Sequence, residues 1–246
     1  MTIQDLIEVC PAVVATQPHA RASARYEFIP TLPLVERLCS AGWQIASARQ
    51  NARTERDTGA HSVMFDLPGQ DGVRRVGQYR ATAYLFNSHD CTRRFSLAAG
   101  LSVCACDNQL HVTVEGIGET LDHIHLGGDF DLSAAMKLVE NKHSNIALTV
   151  GRMTSQFLCQ EDVWNFGQRA LMHVNGHASP LFVRDADVEY AITPRREEDK
   201  ELTLWNTLNV VQENLIQRGR RGGLHEVLRN HKLNVALWNE ATALLN

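Results

Sequence analysis

Arginine is the residue whose distribution in this chain first suggests chemistry. Positions 49 to 94 hold eight arginines and no lysine: Arg49, Arg53, Arg56, Arg74, Arg75, Arg80, Arg93 and Arg94. A guanidinium is planar, always charged and presents its donors as a fork. It therefore suits bidentate contact with phosphate, and stacking on bases, better than an ammonium does. On an antiparallel sheet with one exposed face, this set would line a groove for a nucleic-acid backbone. The bland alternative is a solvated sheet edge kept cationic to prevent edge-to-edge association. Glu55, Asp57, Asp66, Asp71 and Asp90 share the window, so its net charge is only moderately positive. Tyr79 and Tyr84 lie among the arginines as stacking candidates, with at least one of them expected in the core.

Cysteine and histidine form a second set: Cys104, Cys106, His111, His123 and His125, near Asn87-Ser88-His89-Asp90. Such groups ligate zinc or do nucleophilic chemistry when a frame organises them. No C-x-x-C or H-E-x-x-H frame is present. In a strand, Cys104 and Cys106 would point the same way, as two small buried fillers. His173 and His177 have the spacing of a helical metal pair, but Asn175 and Gly176 weaken the helix between them. Asn-Ser-His-Asp reads as a tight turn, because Asn tolerates the left-handed region and Ser and Asp bond their own backbone. A third, basic set comprises Arg195-Arg196 and Arg218, Arg220 and Arg221; the last three sit where cations complement a helix C-terminus or contact phosphate. Neither a Walker lysine loop nor a G-x-G-x-x-G fingerprint occurs, which argues against nucleotide hydrolysis and Rossmann binding; no cofactor is expected.

The elements that must position these residues can be read from periodicity. Residues 1–30 are loosely patterned, with 17–25 an extended arm. Thr31 caps a helix carrying Leu34, Val35, Leu38 and Cys39, which Gly42 stops. Trp43–Ala48 alternates as a strand, and 49–61 reads as a loop or hairpin tip. Ser62–Leu67, Val73–Asn87, Arg93–Cys106 (broken at Gly100) and Leu110–Val114 follow as β segments, with turns at 68–72, 87–90 and 107–109. After Gly127-Gly128 the pattern becomes helical: about 131–150, then from about 160, a loop-rich connector over 174–198, and two C-terminal helices with stripes Leu204–Ile216 and Val227–Leu245.

The 246 residues are 44% hydrophobic and 21% charged, with net charge −4, so the chain is long enough to bury a core and is not basic overall. The longest run without a charge or a strong turn former near its centre, Leu97–Cys106, is about half the ~20 residues that span a bilayer. The first ten residues hold two acids and no basic run, unlike a signal peptide. A cytoplasmic location with free thiols is the expectation.

Several segments together resemble a known family. They are Tyr26-Glu27-Phe28-Ile29-Pro30-Thr31, Gly42-Trp43 with Ala48-Arg49-Gln50, Leu85-Phe86-Asn87-Ser88-His89-Asp90, Cys106-Asp107-Asn108, Leu204-Trp205-Asn206 with Val211-Gln212-Glu213-Asn214-Leu215-Ile216, and Lys232-Leu233-Asn234-Val235-Ala236-Leu237-Trp238. In order, from about 20 to 245, they resemble the phage- and plasmid-borne family catalogued as domain of unknown function nine hundred and thirty-two. The resemblance implies a mobile-element setting and no settled activity. Cys91 stands where a Gly often follows Asn-Ser-His-Asp, Gln109 stands where a Gly follows Cys-x-Asn, and the linker between the middle and last helices is short.

The expected fold is α+β. A segment 1–30 leads into a core over 31–198, where an N-terminal helix precedes a curved antiparallel sheet of about five strands covered by long helices. A C-terminal helical region, 199–246, packs on it. A β-meander followed by a long helix is similar to the layout of Rad52-like annealing proteins of phages, a fold-level analogy. The expected function is non-enzymatic binding of nucleic acid, single-stranded DNA in particular, by a mobile-element protein that assembles from copies of itself. A regulatory or anti-defence protein that binds a host protein is the alternative. A metal- or thiol-dependent enzyme built on Cys104, Cys106, His123 and His125 is the third.

Overall fold

A computed structural model describes residues 1–23, 26–50, 56–68, 79–93, 95–103, 108–110, 132–176, 179–217 and 224–245. At 102, 103, 108–110, 217 and 224–231 it describes the backbone alone. The architecture is α+β. Strands β1 (Gln44–Gln50), β2 (His61–Asp66), β3 (Tyr79–Asn87) and β4 (Ser96–Val103) pair antiparallel in chain order, and a short β5 (Asn108–Leu110) extends the meander.

Alternation along the strands sends Ile45, Val63, Phe65, Ala83, Leu85, Leu97, Ala99 and Leu101 to one face, where they join the main core. Helix α1 (Ile3–Val9), α2 (Thr31–Ser40) and α3 (Leu132–Ser155) cover that face. His143 of α3 is buried there and donates from Nε2 to the Thr82 carbonyl at 2.9 Å, tying helix to sheet. The other face carries a smaller buried cluster, Met64, Tyr84 and Phe86, with Ala46 against it.

Gly100 does not break its strand: it pairs with Thr82 inside the β3–β4 ladder. A Cβ there would lie 2.4 Å from the Tyr84 ring, so the missing side chain is what lets that ring lie flat across the sheet.

The helical half is built from α3, α4 (Gln160–Asn175), α5 (Asp185–Ile192), α6 (Leu204–Gln212) and α7 (Leu224–Ala243), with a π-helical turn at Glu213–Gln217. Helix α6 packs against α3, α4, α5, α7 and β5. Eight of its nine residues are buried, Asn206 being the exception. Backbone hydrogen bonds Leu158 N–Leu202 O and Leu204 N–Gln156 O, both 2.8 Å, stitch the α3–α4 junction to the chain entering α6.

Asn108 and Gln109, expected in a turn, pair with Val103 and Ser102 in the β4–β5 ladder, and two further regions differ from the sequence expectation. The loosely patterned start is partly helical: α1 and a 3₁₀ turn at Pro11–Val14 bury Leu6, Cys10, Ala12 and Val13, and Thr2 and Asp5 form a capping box. Seven residues are too few for clear periodicity, which hides such a helix from the sequence. The connector over 174–198 contains α5, held by Val188 and Ala191 against Leu171 and Val183. Among the described residues no helix is long and apolar enough to cross a membrane.

Candidate functional site

Of the eight arginines, Arg49, Arg56, Arg80 and Arg93 fall among the described residues; Arg53, Arg74, Arg75 and Arg94 lie outside them. Arg49 is a strand residue rather than a loop residue. The β1–β2 register slips between Ile45 and Ser47, a bulge at Ala46. Ile45 and Ala48 both join the core, an odd spacing that regular alternation forbids. Beyond the bulge Arg49 pairs with Ser62, which pairs with Phe86, so Arg49 belongs to the face away from the helices. Without the bulge Arg49 would share the core face with Ile45.

Arg93 reaches the same face from the β3–β4 connection, its Cζ lying 4.5 Å from the centre of the Phe86 ring. Arg80 alternates onto that face too, and its Nη1 donates to Asp66 Oδ2 at 2.8 Å. Arg56 is exposed in the β1–β2 turn, and its carbonyl accepts from Gln50 Nε2 at 2.6 Å. Three guanidinium groups thus share one face, two of them flanking the Phe86 row and the third partly neutralised.

The tyrosines are not stacking platforms. Tyr79 is buried on the helix face against Trp205, ring centres 5.9 Å apart, and Tyr84 is buried beside Phe86 at 6.1 Å. Burial pushes the Tyr79 hydroxyl up to about 12; for Tyr84 burial also raises it, while Thr82 and the nearby Arg49 charge pull the other way. The expectation of at least one core tyrosine understated the case, because alternation along β3 sends one to each face and both faces are packed there.

Asn87-Ser88-His89-Asp90 is a turn that also holds a buried polar hub. Thr31 does not cap α2. Pro30 occupies the cap, and the Thr31 hydroxyl turns inward to His61 Nε2 (2.8 Å), His89 Nε2 (3.3 Å) and Asn87 Nδ2 (3.0 Å). The His61 proton can be assigned. Gly59's carbonyl only accepts, so His61 Nδ1 donates to it at 2.9 Å and Nε2 must accept from the Thr31 hydroxyl. The Thr31 oxygen then takes an N–H from Asn87, His89 Nε2 lies against the same hydroxyl, and the fully buried His89 ring also meets the Ala12 carbonyl.

Burial, the largest cause, holds both imidazoles down to about 4, well below the free value of 6.5. His61 also feels His89, whose ring centre is 5.2 Å away, and Asp90 offsets both shifts in part. Cys91 has φ +63°, the left-handed position that the Gly of the resembling family would occupy, so the turn keeps its geometry at some strain.

The remaining motifs are structural where described. Arg195 and Arg196 are engaged by Glu213: Arg196 Nη2 to Oε2 is 2.7 Å and Arg195 Nη1 to Oε1 is 3.5 Å, while Arg196 Nε also reaches Asp199 Oδ2 at 2.8 Å. Glu213 and Asp199 therefore offset part of the charge of this arginine pair. His173 Nε2 donates to Glu240 Oε1 at 3.0 Å, and Arg169 pairs with the same carboxylate at 2.8 Å. Cys104, Cys106, His111, His123, His125, His177, Arg218, Arg220 and Arg221 lie outside the described residues. Among the described residues no three His, Cys, Asp or Glu side chains gather as a metal site would require. Sequence reading missed Thr31 and His61 as partners of His89; the one signal was that Thr31 and Asn-Ser-His-Asp both fell in the segments carrying the family resemblance.

No solved structure matches the chain. The UPF0380 protein YafZ of Escherichia coli (strain K12) is 28% identical over the whole chain and 92% of its own length. The UPF0380 protein YfjQ of the same organism is 26% identical with the same coverage. The family described as "Domain of unknown function (DUF932)" matches residues 18–240, which takes in the sheet, the hub and all but the end of the helical half. The chain belongs to the DUF932 family.

Proposed function

We propose that this chain is a nucleic-acid-binding protein of a mobile genetic element, which favours single-stranded DNA, works as an assembly of copies in the cytoplasm and acts by binding rather than by catalysis. One observation carries the reading: Arg49, Arg80 and Arg93 share the sheet face opposite the helices, and the bulge at Ala46 is what turns Arg49 onto it. A bulge that re-aims a cation is costly to the ladder and makes sense where the cation meets a ligand. Because Tyr79 and Tyr84 are buried, phosphate contact rather than base stacking supplies the affinity.

Fluorescence anisotropy of a labelled oligothymidylate against salt tests the reading. Three phosphate contacts give a slope of log affinity against log salt of about −2 on a single strand. Arg49→Ala and Arg93→Ala each lower affinity and flatten the slope; Arg80→Ala does less, because Asp66 already holds that guanidinium. No binding at low salt overturns it.

A second reading, binding of a partner protein, is favoured by one corner. Leu181 and Phe182, between α4 and α5, are 92% and 69% exposed. That reading requires salt-insensitive association that Leu181→Asp abolishes, with no affinity for the oligonucleotide.

A further inference from the structure

We propose that the described residues of 15–30 form a strap latched onto Asn87, Ser88 and His89, and that uptake of protons by His61 and His89 opens it. This stands whether or not the chain binds nucleic acid. The segments on either side are anchored in the core, through Cys10 and Val13 before it and Leu34 and Val35 after it. The strap itself contributes only the partly buried Ile29 to that core. It is held by polar contacts to three consecutive residues. His19 N donates to the His89 carbonyl (2.8 Å), the Tyr26 hydroxyl donates to the Ser88 carbonyl (2.7 Å), and Asn87 Nδ2 donates to the Ile29 carbonyl (2.9 Å). Phe28 covers the His89 ring at 4.8 Å between centres, and His61 lies beneath. Few apolar contacts and a handful of hydrogen bonds mark a segment that opens locally, ahead of the whole molecule.

Opening uncovers His89. Closed, both imidazoles are neutral: His61 Nε2 is occupied as an acceptor by Thr31, and a proton there would set two donors against each other. A charged His89 would have the Thr31 hydroxyl and the Ala12 carbonyl as acceptors but would face a second histidine. The other groups facing the pair are Asp90 and Cys91 in the turn and Tyr26 in the strap. The Gly59 carbonyl on His61, the Ala12 carbonyl on His89 and the Asp90 charge on both favour the charged forms, and burial outweighs them. The open state binds protons near the free value of 6.5 and the closed state near 4, so acid favours opening. Each histidine shifts the equilibrium by on the order of tenfold or more between pH 7 and pH 5.

Hydrogen exchange, corrected for its intrinsic pH dependence, tests this at pH 7 and pH 5. Peptides within 15–30 are less protected than those of α4 at both pH values, and they lose protection on the order of tenfold or more at pH 5. Phe28→Ala, which leaves the hydrogen bonds in place, lowers protection over 15–30 already at pH 7. Proton NMR places the titration of His61 and His89 well below 6.5. Unchanged protection over 15–30, protection there equal to that of α4 at pH 7, or histidines titrating near 6.5 each overturns the proposal.

Discussion

Two polar clusters, one in the sheet half and one in the helical half, are built on different principles. The hub of Thr31, His61, Asn87 and His89 is neutral and almost wholly enclosed, and it joins strands to the N-terminal segment. The cluster of Arg195, Arg196, Asp199 and Glu213 is ionic and less deeply covered, and it joins the end of α5 to the π-helical turn after α6. Enclosure explains the choice. A charge in the hub has no room for counter-charge or water, so the residues are ones that satisfy each other as neutral groups. At the helical end solvent still reaches the guanidinium groups, so charge is tolerable and gives direction.

The comparison breaks most sharply at Thr31. Thr31→Val keeps the shape and removes the hydroxyl, leaving His61 Nε2 and His89 Nε2 without it; about 3 kcal/mol of stability is lost, read from the urea midpoint at pH 7. A similar loss follows from acid in the unaltered chain. Both histidines are held below their unfolded value, so their contribution is fully present above about 6.5 and declines as pH falls towards about 4. Urea midpoints at pH 7 and pH 5 should differ by about 2–3 kcal/mol, and Thr31→Val, which no longer has the hydroxyl to favour the neutral pair, should be less acid-sensitive.

At the other cluster Glu213→Gln costs about 2 kcal/mol, because two guanidinium groups lose their carboxylate while one keeps Asp199. Raising salt to 1 M should shrink that cost by roughly half and leave the Thr31→Val cost within about 0.3 kcal/mol. The smallest change is Cys91→Gly beside the hub. It relieves a left-handed backbone and raises stability by about 0.5–1 kcal/mol, less the added freedom of the unfolded chain.

Much of this organisation was legible in the sequence. Period-two alternation located the meander, and period-three-to-four stripes located α3, α4, α6 and α7, because a half-buried element must repeat its apolar residues at its own geometric interval. The candidate site was legible in composition and not in placement. A bulge is one residue of slippage between strands, invisible in the sequence of either, yet it decides which face Arg49 occupies. Thr31 shows the same limit from the other side. Threonine ahead of an apolar helical stripe usually caps it, and only the strands arriving from thirty and fifty-odd residues later turn the hydroxyl inward. The tyrosines among the arginines looked accessible because one strand shows its own alternation and nothing of what lies over it.

Helix α6 has almost no outward side, and this bears on how the chain can be cut. Its residues fill the centre that α3, α4, α5, α7 and β5 surround. A chain severed near position 199 would yield an amino-terminal piece lacking the axle its other helices turn about, and a carboxy-terminal piece with Trp205, Leu208 and Val211 bared to water. The helix near the carboxy-terminal end is thus integral to the packing of the helical half, and useful fragments will have to be sought elsewhere.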